Sequence, residues 1–189
     1  MTLTSPNCPA AQELPAEVEQ KVRSVAGVTD AKVDGTWKTM LVGGLGKGGK
    51  SFYAVDITDP ASIKTEADAA NALMWEFNHS DLGYSFGKPL VTKTNAFGGK
   101  WVVVVSSGYN NASGDGKLWF LDAKDGTVLK TLSTGVGSAA SPSGLAQFSA
   151  FTKDLTNYLA EQIYAGDLEG NFWRFDISDA NSANWKVEK

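Results

Sequence analysis

The apolar positions of this chain change their period near residue 33. Between residues 10 and 25 they keep helical spacing. Leu14, Val18, Val22 and Val25 lie four, four and three residues apart and share one helical face. Glu13, Glu17 and Glu19 come early in this stretch and Lys21 and Arg23 late, the order that the helix dipole favours. Pro15 suits the first turn, where a missing N–H costs least. Residues 1–4 and 28–33 read as strands, and Ser5-Pro-Asn-Cys-Pro9 reads as a turn. Residues 1–33 are thus expected to form a small β-α-β segment.

From residue 36 onward the pattern is short β-prone runs between glycine-rich turns. Met40-Leu-Val42, Phe52 to Ile57, Trp101 to Val105, Leu118 to Leu121, Ile163-Tyr164 and Phe172 to Phe175 are such runs. Residues 61–73 have helix-favouring composition without apolar periodicity. Three stretches share one grammar of strand, Gly turn, aromatic strand ending in Asp, turn and strand. The first is Leu41-Val-Gly-Gly44, Phe52-Tyr-Ala-Val-Asp56 and Trp75-Glu-Phe77. The second is Val104-Val-Ser-Ser-Gly108, Leu118-Trp-Phe-Leu-Asp122 and Val128-Leu-Lys-Thr-Leu132. The third is Ile163-Tyr-Ala-Gly166, Phe172-Trp-Arg-Phe-Asp176 and Trp185-Lys-Val187. Ser85 before Pro89 and Ser138 before Pro142 form a second echo, each pair leading into an apolar strand.

Tandem repeats of this kind specify stacked or radial sheets. The expected fold is mainly β: an incomplete β-propeller of about three four-stranded antiparallel blades over residues 34–189, preceded by the segment 1–33. Closure takes roughly four to eight blades. Three would leave sheet faces and edges bare, so further blades or self-association are expected to cover them.

Composition narrows the function. Apolar residues make up 42% of the 189 and charged residues 20%, and the net charge is −4. An acidic chain is a poor match for nucleic acid, whose phosphates reward basic stripes, or for a polybasic membrane contact. No apolar run reaches the length of a membrane span. The first 15 residues lack a basic and apolar leader, which reads as cytoplasmic for the chain as encoded. Cys8 is the only cysteine, so no internal disulfide forms.

Several stretches carry the resemblance of residues 34–189 to a known family. They are Trp37-Lys-Thr-Met-Leu-Val-Gly-Gly-Leu45, Tyr53-Ala-Val-Asp-Ile-Thr-Asp-Pro60, Leu82-Gly-Tyr-Ser-Phe-Gly-Lys-Pro89, Ser106-Ser-Gly-Tyr-Asn110 and Ser141-Pro-Ser-Gly-Leu145. The most specific is Ile163-Tyr-Ala-Gly-Asp-Leu-Glu-Gly-Asn-Phe-Trp-Arg-Phe-Asp176. This part resembles the C-terminal propeller of the PilY/PilC-type pilus tip adhesins and biogenesis factors. The resemblance implies a non-catalytic module of the cell surface, pilus or outer membrane. Its implied partners are pilus components or a host or surface receptor. The repeat is also similar to that of quinoprotein dehydrogenases, which leaves a cofactor enzyme as the alternative. Thr2-Leu-Thr-Ser-Pro-Asn-Cys-Pro9, Leu14-Pro-Ala-Glu-Val18 and Val25-Ala-Gly-Val-Thr-Asp-Ala31 resemble the SufT- and PaaD-type iron–sulfur assembly domain, about a third of which is present. On that resemblance Cys8 would be an iron–sulfur thiol, and the chain would be a fusion of two unrelated segments. The bland reading of Cys8 is a free thiol, since a cluster normally wants several thiolates.

Other motifs have local explanations. Gly44-Leu-Gly-Lys-Gly-Gly-Lys-Ser51 matches a phosphate loop through Gly44, Gly49, Lys50 and Ser51. That motif needs a helix to follow. Phe52 onward alternates like a strand, so a hairpin turn is expected. His79 reads as a solvated loop residue. The pilus resemblance also implies calcium in some members, held by an acidic loop where this chain has Thr152-Lys-Asp-Leu-Thr-Asn-Tyr158. Carboxylates are too few there. Asn110 and Asp115 are weak calcium candidates, and a plain turn explains them equally well. Asp56, Asp122 and Asp176 are expected to bond turn amides, and Trp75, Trp101, Trp119 and Trp173 to pack between blades. The loops at residues 81–84 and 110–116 are expected to face a partner.

Overall fold

The structure is a computed structural model and describes residues 38–154 and 156–189. The segment 1–33, its expected helix, the fusion point and Cys8 lie outside the described residues. Of the described residues, 38–41 and 55–72 form one compact unit, and 42–54 and 73–189 the other.

Eleven strands are described, in three antiparallel sheets. The first holds β1 (Met40–Gly44), β2 (Ser51–Asp56) and β3 (Leu73–Asn78) in the order β1-β2-β3. The second holds β4 (Leu90–Lys93), β5 (Trp101–Ser106), β6 (Lys117–Asp122) and β7 (Val128–Ser133) in chain order. The third holds β8 (Phe148–Phe151), β9 (Gln162–Gly166), β10 (Phe172–Asp176) and β11 (Lys186–Glu188), ordered β11-β10-β9-β8. Each is a meander, which is the blade of a propeller. The echo at Ser85 and Ser138 marks the leading strands β4 and β8, present in the two four-stranded sheets. The first sheet has three strands among the described residues, and its repeat carries no such echo. Among the described residues the helix content is one short α-helix, α1 (Glu66–Ala72), with 3₁₀ turns at Pro60–Ser62, Phe97–Gly99 and Ser182–Asn184. Residues 61–73 therefore hold two separate turns of helix in place of one continuous element. No residue of α1 is buried, so it lacks the apolar face that would extend it.

Strand alternation sorts the side chains. In β5 and β6, Val102, Val104, Leu118 and Phe120 share a core with Ile163, Ala165, Trp173 and Phe175 of the third sheet. The alternate residue Trp119 meets Phe77 of the first sheet, with ring centroids 5.8 Å apart. The register is Val103 with Leu121 and Val105 with Trp119, interrupted by a bulge between Phe120 and Leu121 on the β7 side. The second sheet is thus covered on both faces, and Val102, Val103, Val104 and Val105 are all fully buried.

Tryptophans tie the sheets together. Trp75 Nε1 donates to the Ala123 carbonyl at 2.9 Å, joining the first sheet to the β6–β7 turn. Trp185 packs on Phe120 at 4.9 Å and on Phe97 at 5.5 Å. Trp173 is buried and Trp101 half-buried. A fully buried side chain of this size is worth about 1.5–3 kcal/mol, so these contacts weigh heavily in the fit of one sheet against the next.

The repeated aspartates close strand ends. Asp56 Oδ1 accepts from the Thr58 amide at 3.0 Å and its hydroxyl at 2.6 Å. Asp122 Oδ1 accepts from the Lys124 amide at 3.0 Å. Asp176 Oδ1 accepts from the Ser178 amide at 3.2 Å and hydroxyl at 2.6 Å. All three make the two-residue turn that Asp favours.

Candidate functional site

The hairpins β1–β2, β5–β6 and β9–β10 and the connections β3–β4 and β7–β8 knit into one loop edge. Leu45 N donates to Ser85 Oγ at 2.8 Å, and Ser85 N to the Gly49 carbonyl at 3.4 Å. Tyr84 N donates to the Tyr109 carbonyl at 2.7 Å, and Gly83 N to the Ser107 carbonyl at 2.8 Å. Gly108 N donates to the Leu145 carbonyl at 2.9 Å, and Leu168 N to the Ser143 carbonyl at 2.7 Å. Every sheet therefore contributes backbone to a continuous edge. Leu45, Phe86 and Leu168 are exposed on it, and Phe86 lies 5.7 Å from the Tyr109 ring.

Asp81 is the organising charge. It accepts from the Ser113 amide at 2.7 Å, the Ser113 hydroxyl at 2.8 Å, Asn111 Nδ2 at 3.3 Å and Lys117 Nζ. Lys117 also lies 3.6 Å from Asp115. Burial pushes the Asp81 carboxyl up, but the bonds from Lys117 and Ser113 outweigh it and hold the acid below its ordinary value. Burial likewise disfavours the Lys117 ammonium, and Asp81 and Asp115 more than restore it. The loops at 81–84 and 110–116, both expected to face a partner, are bound to each other through this cluster. Asn111 Oδ1 and Ser143 Oγ are buried there without a protein partner.

The phosphate-loop residues fall in the β1–β2 hairpin. Gly44 ends β1 and Ser51 opens β2, so a strand follows where a phosphate loop requires a helix. Gly49 lies in the hairpin connection, where Gly48 N donates to the Leu45 carbonyl at 2.9 Å. Lys50 Nζ donates to the Asn110 carbonyl at 3.1 Å and sits 5.5 Å over the Tyr84 ring.

The calcium candidates are occupied by protein donors. Asp115 takes Ser133 Oγ at 2.5 Å, Thr134 Oγ1 at 3.2 Å and the Gly135 amide at 3.0 Å. Asn110 has φ 57° and gives its carbonyl to Lys50. At 152–158, Asp154 Oδ1 accepts from the Thr156 amide and hydroxyl, and Asn157 Oδ1 from the Leu159 amide. Tyr158, at φ 59°, gives its carbonyl to Lys93 N at 2.9 Å and Thr92 Oγ1 at 2.7 Å, and its ring lies 5.4 Å from Trp101. Calcium wants six to eight free oxygens, and these donor sets do not fit it. Among the described residues no group of three or more His, Cys, Asp or Glu side chains could hold a metal. His79 is exposed; its Nδ1 accepts from the Asp81 amide at 3.0 Å, and its ring lies 5.4 Å from Trp119.

Two features of the edge went unseen in the sequence. The Asp81–Lys117 pair joins residues 36 apart, so no local pattern announces it. Lys47, Lys50 and Lys88 likewise come from two segments, joined through Leu45, Gly46, Gly49 and Ser85; their one signal is the lack of acidic residues in those segments.

A family model described as the PilY1 beta-propeller domain matches residues 20–187. The type IV pilus biogenesis factor PilY1 of Pseudomonas aeruginosa (strain UCBPP-PA14) is 38% identical over 157 residues, covering 79% of this chain and 12% of that protein. The crystal structure of the Pseudomonas aeruginosa PilY1 C-terminal domain matches with a TM-score of 0.64 and 35% identity, covering 89% of this chain and 33% of that one. An Fe-S protein maturation auxiliary factor of Porphyromonas gingivalis is 53% identical over 38 residues, 20% of this chain and 36% of that protein. The chain spans about an eighth of the length of the pilus relatives it matches, 12% in the first. No helix among the described residues is long and apolar enough to cross a membrane.

Proposed function

The chain belongs to the PilY1 β-propeller domain family, and on that premise we propose that it is a non-catalytic binding module of type IV pilus biogenesis. It acts at the pilus or cell surface, and its partner is a pilus component or a surface receptor. The observation that carries this reading is the loop edge. Five loops from three sheets are locked together by backbone bonds, while Leu45, Phe86 and Leu168 stay exposed on them. A rigid scaffold that displays loops is the usual architecture of recognition. The polar groups of the edge support the same view. Asp81, Asp115 and Lys117 are spent on one another and on loop amides, which suits holding a shape better than moving protons.

The test is binding of the immobilised full chain to purified type IV pili. Saturable binding is expected. A folded chain that binds neither pili nor pilin, yet oxidises alcohols with pyrroloquinoline quinone and a dye, would make it a quinoprotein-type enzyme instead.

Residues 1–33 support a second reading for that segment alone. Their likeness to iron–sulfur assembly domains is in keeping with the short match to a maturation factor. Under this reading Cys8 binds iron or a cluster in transit. Iron-dependent visible absorbance that disappears in Cys8→Ser is the expected result, and a colourless protein after reconstitution discards the idea.

A further inference from the structure

One corner of the loop edge carries cations that no carboxylate among the described residues neutralises. It is made by the β1–β2 hairpin and the segment 82–90, joined through Leu45 N to Ser85 Oγ, Ser85 N to the Gly49 carbonyl, and a bridge between Gly46 and Ser85. In a chain of net charge −4, neither residues 42–54 nor residues 82–90 contain an Asp or Glu. Lys47, Lys50 and Lys88 are all exposed. Among the described residues no carboxylate pairs with any of them.

The same corner holds exposed apolar anchors. Leu45 is 46% exposed and Phe86 45%. Each stands two residues before a lysine, Leu45 before Lys47 and Phe86 before Lys88. The platform beneath them is fixed. Phe86 rests against Tyr109, its carbonyl accepts from Gln147 Nε2 at 3.1 Å, and Lys50 is held by the Asn110 carbonyl and the Tyr84 ring. Preorganised apolar anchors beside charge of one sign are what a complementary protein segment reads.

We propose that this corner docks an acidic protein segment bearing an apolar side chain. The anchor seats against Leu45 and Phe86, and its carboxylates meet Lys47, Lys50 and Lys88. Three lysines are too few for a phosphate backbone, which rewards a long basic stripe. The exposed apolar pair also favours a peptide over a purely ionic contact. The Gly-Lys hairpin that resembled a phosphate loop thereby acquires a role as a recognition turn. This inference rests on the binding-module reading and names its partner class.

The test is selection of a random displayed peptide library on the immobilised full chain. Enriched peptides are expected to be rich in Asp and Glu around a Leu, Phe or Trp. Their affinity should fall about tenfold in Lys47→Glu/Lys88→Glu, a loss that two exposed ion pairs can account for. A comparable fall is expected in Phe86→Ser, and weakening with added salt. All three substituted side chains are exposed, and circular dichroism checks that the variants fold. Enrichment of neutral or basic peptides, no enrichment, undiminished binding to Lys47→Glu/Lys88→Glu, or equal binding to phosphatidylserine vesicles overturns the proposal. Pilus binding that survives Lys47→Glu/Lys88→Glu also overturns it while leaving the module reading intact. A wild-type chain that binds no pili removes that reading instead.

Discussion

Gly83 and Gly108 show how closely two connections approach. A β-carbon on Gly83 would lie 2.2 Å from the Tyr109 carbonyl oxygen, and one on Gly108 would lie 2.2 Å from that of Tyr84. Gly108 also has φ 68°, in the left-handed region. Gly108→Ala should therefore cost stability on both grounds, by about 1–3 kcal/mol, read as a lower urea midpoint with unchanged slope. The strand-ending aspartates could be read without coordinates because an Asx turn is local: Asp, then an amide two residues on. The Trp75 bond to Ala123 could not, because its partner lies 48 positions away. The same division runs through the site. The hairpin nature of Gly44 to Ser51 follows from what comes next in the chain, whereas the Asp81 cluster depends on two distant loops meeting.

Among the elements, the β9–β10 hairpin is the most self-contained. Asp167 accepts from the Glu169 amide at 3.0 Å, the Asn171 amide at 2.8 Å, Asn171 Nδ2 at 2.8 Å and Trp173 Nε1 at 2.8 Å. Burial pushes its carboxyl up, and the bonds from Trp173 and Asn171 overcome this and bring it below its usual value. Asp167→Ala leaves four donors without their acceptor. It should destabilise the chain by about 2–4 kcal/mol and raise proteolytic cleavage in this turn, while Asp167→Asn should recover part of the loss. This hairpin was legible from its motif, Gly166-Asp-Leu-Glu-Gly-Asn171. The β8 strand was legible only as something following Pro142. Its four residues alternate between half-buried and exposed, a weak period over a short run. The expected helical stretch at 61–73 shrank for the opposite reason: composition favoured helix, but nothing covers it.

Across the described part of the molecule, several aspartates share one direction of shift. Lys38 and Thr58 bring the Asp56 carboxyl down to about 2, Ser178 lowers Asp176, and Asp81 and Asp167 are also lowered. A carboxyl depressed in the folded state contributes stability above its unfolded value near 4, and loses it as pH falls through the folded value. Melting temperature should accordingly hold level above about pH 5 and decline between about pH 4 and pH 2, a profile that a thermal scan series would reveal. A flat response over that range would mean these contacts are not formed in solution.

The repeat also identifies an uncovered face. Phe52, Leu118 and Phe172 occupy the same place in the three sheets. The first two are fully buried, whereas Phe172 is 64% exposed, stacked 5.8 Å from Tyr164. Arg174, where Phe120 stands in the second sheet, pairs with Glu188 on that face. Such a surface is sticky. Phe172→Lys should reduce concentration-dependent association in sedimentation velocity runs with little loss of melting temperature. An unchanged distribution of species would locate the contact elsewhere.

The four consecutive valines of β5 bring a different liability. Residues 101–106 form an uncharged, β-branched run that is harmless only while both of its sides are sheltered. One shelter comes from residues already made when the ribosome reaches β5. The other comes from the third sheet, whose last strand is Lys186–Glu188. During synthesis this stretch must therefore wait, half bare, for about eighty further residues to emerge. That interval is when a holding chaperone matters most to this protein.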